Sequence, residues 1–237
     1  MKYKIAGVIF ELETIYQFTK KLCENYRYFG VEDASLKIAV TKEDIEKERR
    51  LEDSTNEYLE SVAVYRKLCE YIFDKGNGFV FHSSAVSVNG ECYLFTAPSG
   101  TGKSTHVRLW KKLLNEKAVV INDDKPIIRC INGEFFVYGT PWSGKHRLDR
   151  DERAKLKAIC EISRAQENSI KEVSFKEILP TLLNQTVRPK EIEKMDELLL
   201  RLKTMSKKIK TYKLCCNMDI SAAILSYQTM SGENNEN

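Results

Sequence analysis

The run Ala97-Pro-Ser-Gly-Thr-Gly-Lys-Ser-Thr holds the densest chemistry in the 237-residue chain. It fits G-x-x-x-x-G-K-[S/T], with alanine standing at the first glycine position. Gly100 and Gly102 permit the unusual dihedrals that curl a row of backbone N–H groups around a polyphosphate. Lys103 supplies a point charge for the β- and γ-phosphates, and the Ser104 hydroxyl suits Mg²⁺. Ser99, Gly100, Thr101, Gly102, Lys103, Ser104 and Thr105 are therefore the candidate ligands of a nucleotide, ATP. A glycine-rich turn with no ligand is the competing reading. The flanks argue against it, because an apolar strand pattern precedes the run and an amphipathic helix pattern follows, aiming its positive end at the anion.

A second element is Val119-Val-Ile-Asn-Asp-Asp, a short apolar strand ending in two acids. That is the form of a site placing a carboxylate beside a metal, and two adjacent carboxylates suggest divided work, one on Mg²⁺ and one as base on an acceptor hydroxyl. A solvated turn would read the same in isolation. His82, one of three histidines, reads by itself as structural more readily than functional, and Trp142 reads as packing. Lys145, His146, Arg147 and Arg150 fit either a solvated face or groups that neutralise a transferring phosphate.

These residues need elements to position them. Tyr3–Leu12 reads as one strand, a helix follows to about Tyr26, and 34–40 is a further strand. Thr41-Lys-Glu-Asp has capping-box spacing and opens a charged segment to Glu52, and 54–73 is helical in period. Then the period changes. Strands at 79–82, 85–88 and 93–96 enclose an Asn89-Gly90 hairpin turn and lead into the phosphate loop. A helix over 105–114 and a strand over 118–122 come next, and strands at 126–130 and 135–138 join over Asn132-Gly133. Residues 139–151 form a polar loop. A strand at 155–162, helices at 175–183 and 191–205, a strand at 209–215 and a helix capped by Asp219 complete the chain.

A net charge of +4, with both signs interspersed, gives no footprint for nucleic acid. The seven cysteines are odd in number, contain no C-x-x-C pair and sit in apolar runs, which argues against a disulfide framework or zinc site. Cys215-Cys216 reads as two buried strand-end thiols. No apolar leader or run of membrane-spanning length occurs, so the expected setting is cytoplasmic.

The series His82, Asn89-Gly90, Ala97–Thr105 and Asn122-Asp-Asp resembles the carboxy-terminal kinase domain of HPr kinase/phosphorylase, itself related to ATP-dependent phosphoenolpyruvate carboxykinase. The likeness is strongest over 79–129. It implies an α/β fold, an HPr kinase/phosphoenolpyruvate carboxykinase-like P-loop domain with β-hairpins preceding and following the nucleotide site. The expected division is a small αβ extension over 1–78, the ATP-binding domain over 79–230 and a disordered tail over 231–237. The resemblance implies ATP and Mg²⁺ as cofactors, Asp123 as base on a serine hydroxyl with His82 nearby, and Asp124 with Ser104 on the metal. Lys145 and Arg147 are the expected contacts to the γ-phosphate or to an acidic group on the acceptor. The family's separate amino-terminal domain and later glutamate–arginine–glycine signature have no counterpart. Tyr138-Gly-Thr-Pro-Trp-Ser-Gly-Lys-His-Arg-Leu instead resembles small bacterial HPr-kinase-like proteins. The expected partners are a nucleotide and a hydroxyl-bearing small protein, peptide or metabolite. A homo-oligomer is a further option; nucleic acid and membrane are not expected. A regulatory ATP-binding protein without transfer activity is the alternative from another class.

Overall fold

A computed structural model describes residues 1–49 and 54–232 of the chain. β1 (Lys2–Ile5) and β2 (Val8–Glu13) form an antiparallel hairpin across Ala6-Gly7, with φ of 50° and 76°. Both angles are the left-handed values a two-residue hairpin turn demands. The single strand expected over Tyr3–Leu12 is therefore two. α1 (Phe18–Leu22) intervenes before β3 (Leu36–Ala39), which joins β2 in parallel. α2 (Lys42–Lys47) opens on the expected capping box: the Asp44 amide donates to the Thr41 hydroxyl at 3.3 Å, and the Thr41 amide donates to the Asp44 carboxylate at 3.0 Å. The charged segment expected to continue to Glu52 runs into residues 50–53, which lie outside the described residues. α3 (Asn56–Gly76) buries Leu59, Ala63, Val64, Leu68 and Ile72, recurring at helical spacing, and ends at Asn77, a left-handed cap.

The larger sheet begins with β4 (Gly78–Val80), β5 (Ser84–Val88) and β6 (Glu91–Thr96), the last two joined by the expected Asn89-Gly90 turn at φ 52° and 80°. α4 (Lys103–Leu114) and β7 (Ala118–Asn122) follow. β8 (Ile127–Ile131) and β9 (Glu134–Tyr138) turn over Asn132-Gly133, also at 52° and 80°. β10 (Arg153–Arg164), β11 (Ser169–Glu172), α5 (Phe175–Gln185), α6 (Ile192–Ser206), β12 (Lys210–Cys216) and α7 (Ile220–Ser231) complete the elements. Gly232 closes α7 in a left-handed cap, so the helix takes in Ser231; 233–237 lie outside the described residues.

The sheet order is β4-β8-β9-β10-β6-β5-β7, with β12 and then β11 attached through β10. β10 is the branch point. Its first residues pair with β9, its later ones with β12, and its other edge follows β6 in parallel with a bulge between Leu156 and Ala158. The sheet curls so that β4 and β5 are two pieces of one interrupted strand lying against β7 and β8. Val80 pairs with Ile127 and Ala85 with Asn122, while residues 81–84 and 123–126 occupy the interruption. This mixed αβ architecture agrees with the expected class.

Strand alternation sends Leu94 to one face and Phe95 to the other, and both faces are covered. α5 and α6 cover one through Ile178, Leu182, Leu198 and Leu202. α4 and α7 cover the other through Val107, Trp110, Ala222 and Ala223. A third cluster joins the small sheet and α3 to Val80, Ile127, Tyr138 and Trp142. Each fully buried large side chain contributes about 1.5–3 kcal/mol by leaving water. Cys216 lies in the α4/α7 core, whereas Cys215 is half-buried on the opposite face with the Ser163 hydroxyl 3.2 Å from its sulfur. The expected buried pair is therefore split by strand alternation. Among the described residues no helix is long and apolar enough to cross a membrane.

Gly139, where β9 turns into the long polar loop, is held by close backbone approach. A Cβ there would lie 1.9 Å from the Arg150 carbonyl oxygen and 2.8 Å from that of Ile121. Gly139→Ala should cost about 3 kcal/mol or more by forcing these strands apart. Gly90→Ala, at a left-handed position with open space around it, should cost about 1 kcal/mol. Urea unfolding of the two variants checks the difference.

Candidate active site

β6 delivers the chain into the glycine loop expected to bind phosphate, and α4 takes it away. The Ala97 side chain is fully buried in the α4/α7 core, and its φ is not among the positive ones, so this position needs no glycine. Gly100 and Gly102 do, at φ 78° and 129°. No described atom lies within 4 Å of where a Cβ would stand on either, so the space beside them is open. The first-turn amides of α4 have no intrahelical acceptor and present partial positive charge there. Arg164, at the end of β10, donates from Nε to the Thr101 carbonyl at 3.0 Å and from Nη2 to the Gly100 carbonyl. This clasp on the loop's carbonyls joins residues 63 and 64 positions apart and gave no sequence signal.

Lys103 is buried, and its Nζ donates to the Ala97 carbonyl at 3.0 Å. Burial lowers its pKa, opposed by the negative fields of Asp124 and Asp123. The loop lysine therefore lies within electrostatic range of both acids, without an ion pair to either among the described residues. Asp123 is buried and accepts the Ser84 hydroxyl on Oδ1 at 2.6 Å. Asp124 takes His82 Nε2 on Oδ1 at 3.1 Å and Lys125 Nζ on Oδ2. Burial would raise the Asp124 pKa, but the bonds from His82 and Lys125 overcome it and hold the carboxyl at about 2, ionised throughout the neutral range.

The acids project from the interruption between the β5/β7 and β4/β8 ladders. Backbone amides that lose their ladder partners find Asn122 instead: its Oδ1 accepts Asp124 N at 2.8 Å and Lys125 N at 2.7 Å. Asn122 Nδ2 donates to the Thr140 carbonyl at 2.8 Å, and the Thr140 hydroxyl donates to the Lys125 carbonyl at 2.9 Å. His82 is fixed by its own backbone, its amide donating to the Gln185 carbonyl at 2.7 Å and its carbonyl accepting the Thr96 hydroxyl at 3.0 Å. Asn122, Thr140, Lys125, Gln185 and Arg164 were not singled out from sequence as site residues. Only Asn122, in the Asn-Asp-Asp string, carried a local signal.

The loop from Gly139 to Asp151 passes beside the acids, since a Cβ on Gly144 would lie 3.2 Å from that of Asp124. Trp142 packs on Tyr65 with ring centroids 4.4 Å apart. Asp149 accepts Tyr26 Oη at 3.0 Å and Ser143 Oγ at 2.5 Å. Lys145, His146 and Arg147 are exposed, and no ion pair or hydrogen bond of their side chains occurs among the described residues. The structure thus pairs His82 with Asp124, sets Lys103 within electrostatic range of Asp123 and Asp124, and leaves Lys145 and Arg147 exposed.

Among the described residues no group of three or more His, Cys, Asp or Glu is arranged to hold a metal ion alone. Mg²⁺ does not require one, because it commonly binds through one or two carboxylates together with substrate phosphates. An ionised Asp124 facing the phosphate loop, together with the half-buried Ser104 hydroxyl, fits that donor set.

His106, in the first turn of α4, is buried, with Nε2 2.9 Å from the Ser226 hydroxyl and Nδ1 without a partner among the described residues. Burial lowers its pKa from 6.5 to about 4. The unfolded chain then binds a proton that the folded chain refuses, so stability is complete above about pH 6.5 and is lost as pH falls towards 4. His106→Gln should flatten that window, removing a pH-dependent loss of about 3 kcal/mol. Urea unfolding at stepped pH measures it.

No family model matches the sequence, and no curated protein matches it. Among solved structures, the chain is similar to the Hpr(Ser) kinase/phosphatase from Coxiella burnetii, at 7% identity over 65% of this chain and 95% of that one. The TM-score is 0.37, and at that level the likeness carries no argument about activity.

Proposed function

We propose that the chain is an ATP- and Mg²⁺-dependent kinase that transfers the γ-phosphoryl group to a hydroxyl, serine being the expected type, on a small protein, peptide or metabolite. The supporting observation is the placing of Lys103 within electrostatic range of Asp123 and Asp124, with His82 paired to Asp124. Ser99 to Thr105 would cradle the phosphates, with Lys103 on the β- and γ-groups. Ser104 and Asp124 would hold Mg²⁺, which supplies neutralising charge on the phosphate oxygens.

Asp123 is the proposed base. Ser84 occupies its Oδ1, leaving Oδ2 to receive the acceptor's proton. As the acceptor oxygen bonds to the γ-phosphorus, the bond to the bridging oxygen breaks and ADP leaves with that electron pair. His82 would stiffen the Asp124 carboxylate through its 3.1 Å contact. Lys145 and Arg147, exposed beside the acids, are the proposed contacts to the γ-phosphate or to an acidic group of the acceptor.

Lys103→Ala should weaken ATP binding about tenfold or more in calorimetry, with the unfolding midpoint as folding control. Unchanged Mg²⁺-dependent ATP binding would refute the loop assignment. Asp123→Asn should keep ATP affinity and lose about a hundredfold in transfer, assayed with cell-extract fractions as acceptor source. Alanine at Lys145 or Arg147 should lower transfer about tenfold and leave ATP affinity within a few-fold, since transition-state contacts register chiefly in rate. A wild-type protein that binds ATP and transfers to no acceptor pool would favour a regulatory nucleotide-binding protein instead.

A further inference from the structure

Lys125 is anchored by its backbone and, among the described residues, held by one contact at its tip. Its amide donates to Asn122 Oδ1 at 2.7 Å, and its carbonyl accepts the Thr140 hydroxyl at 2.9 Å and the Tyr65 hydroxyl at 3.1 Å. Its side chain is 41% exposed, and its ammonium pairs with Oδ2 of Asp124 while His82 takes Oδ1. Both oxygens of that carboxylate therefore carry a nitrogen donor. The two partners differ in freedom. His82 is pinned through its backbone and short side chain, whereas the ammonium of Lys125 rides on a flexible four-carbon stem.

A divalent cation and an ammonium cannot share Oδ2 without strong like-charge repulsion. We infer that Lys125 is a built-in competitor for the divalent cation, its ammonium closing the Asp124 carboxylate until a metal displaces it. This rests on the proposed role of Asp124 as metal ligand. The competition offsets the cost of leaving a half-buried carboxylate without a counter-ion in the metal-free protein. By linkage, the lysine weakens metal binding by the same factor by which the metal weakens the lysine–carboxylate pair.

The test uses Mn²⁺ as probe, followed by paramagnetic resonance of the free ion, with the intact protein alone and with a non-hydrolysable ATP analogue. Lys125→Met should bind Mn²⁺ about tenfold more tightly than wild type. Lys125→Arg, which keeps the charge, should stay close to wild type. In the Asp124→Asn background, Lys125→Met should give no gain. Equal or weaker Mn²⁺ binding in Lys125→Met, with the analogue still bound in a Mn²⁺-dependent way, overturns the inference and spares the kinase reading. A gain that persists in the Asp124→Asn background also overturns it, because the lysine would then act as diffuse charge. If neither wild type nor Lys125→Met takes up Mn²⁺ even with the analogue, the metal role of Asp124 falls together with the inference.

Discussion

The side-chain amide of Asn122, fully buried at the end of β7, is the interaction on which the candidate site depends. A curled sheet carrying two acids at a strand break must satisfy the amides that the break unpairs. Asn122 meets that demand on both sides, accepting from Asp124 and Lys125 and donating to Thr140. Each such bond adds about 1 kcal/mol net, and each buried partner left bare costs about 1–3 kcal/mol. The larger consequence is geometric. One side chain ties the acid turn to the start of the loop after β9, so the acids and that loop keep one relative position.

Electrostatic balance follows from this placement. His82 and Lys125 contact the Asp124 carboxylate directly, and Lys103 lies within electrostatic range of both acids, so the half-buried charge of Asp124 is countered at short range. The low pKa of Asp124 reflects its bonds from His82 and Lys125 and keeps a full negative charge on that carboxylate. Arg164 adds a different constraint, since bonding to the loop's carbonyls favours a backbone that turns its amides the other way.

Much of this was legible in the sequence because local chemistry determined it. Asn89-Gly90 and Asn132-Gly133 announce left-handed turns, Thr41 announces a cap, and the phosphate-loop string announces its flanking strand and helix. What escaped was either locally silent or long-range. Ala6 at φ 50° disguised the first hairpin, because alanine carries no turn preference. β11 is a mostly exposed four-residue strand whose pairing with β12 defines it. Phosphate-loop and acid residues could be named from types and spacing. Their supports could not, since Arg164, Gln185 and Thr140 reach the site only through the curl of the sheet.

The two hydrogen bonds that Asp149 accepts from Tyr26 and Ser143 have a thermodynamic meaning for the basic loop. A free loop of this length would sample many conformations, and any ligand meeting it would lose affinity in proportion to the order it imposed. Here one carboxylate crosslinks the loop to itself and to the amino-terminal segment, and Arg150 bonds back to Ile121. Most of the backbone entropy is thus surrendered during folding, before any ligand arrives. The exposed side chains of Lys145, His146 and Arg147, which make no hydrogen bond or ion pair among the described residues, stand on that prearranged frame.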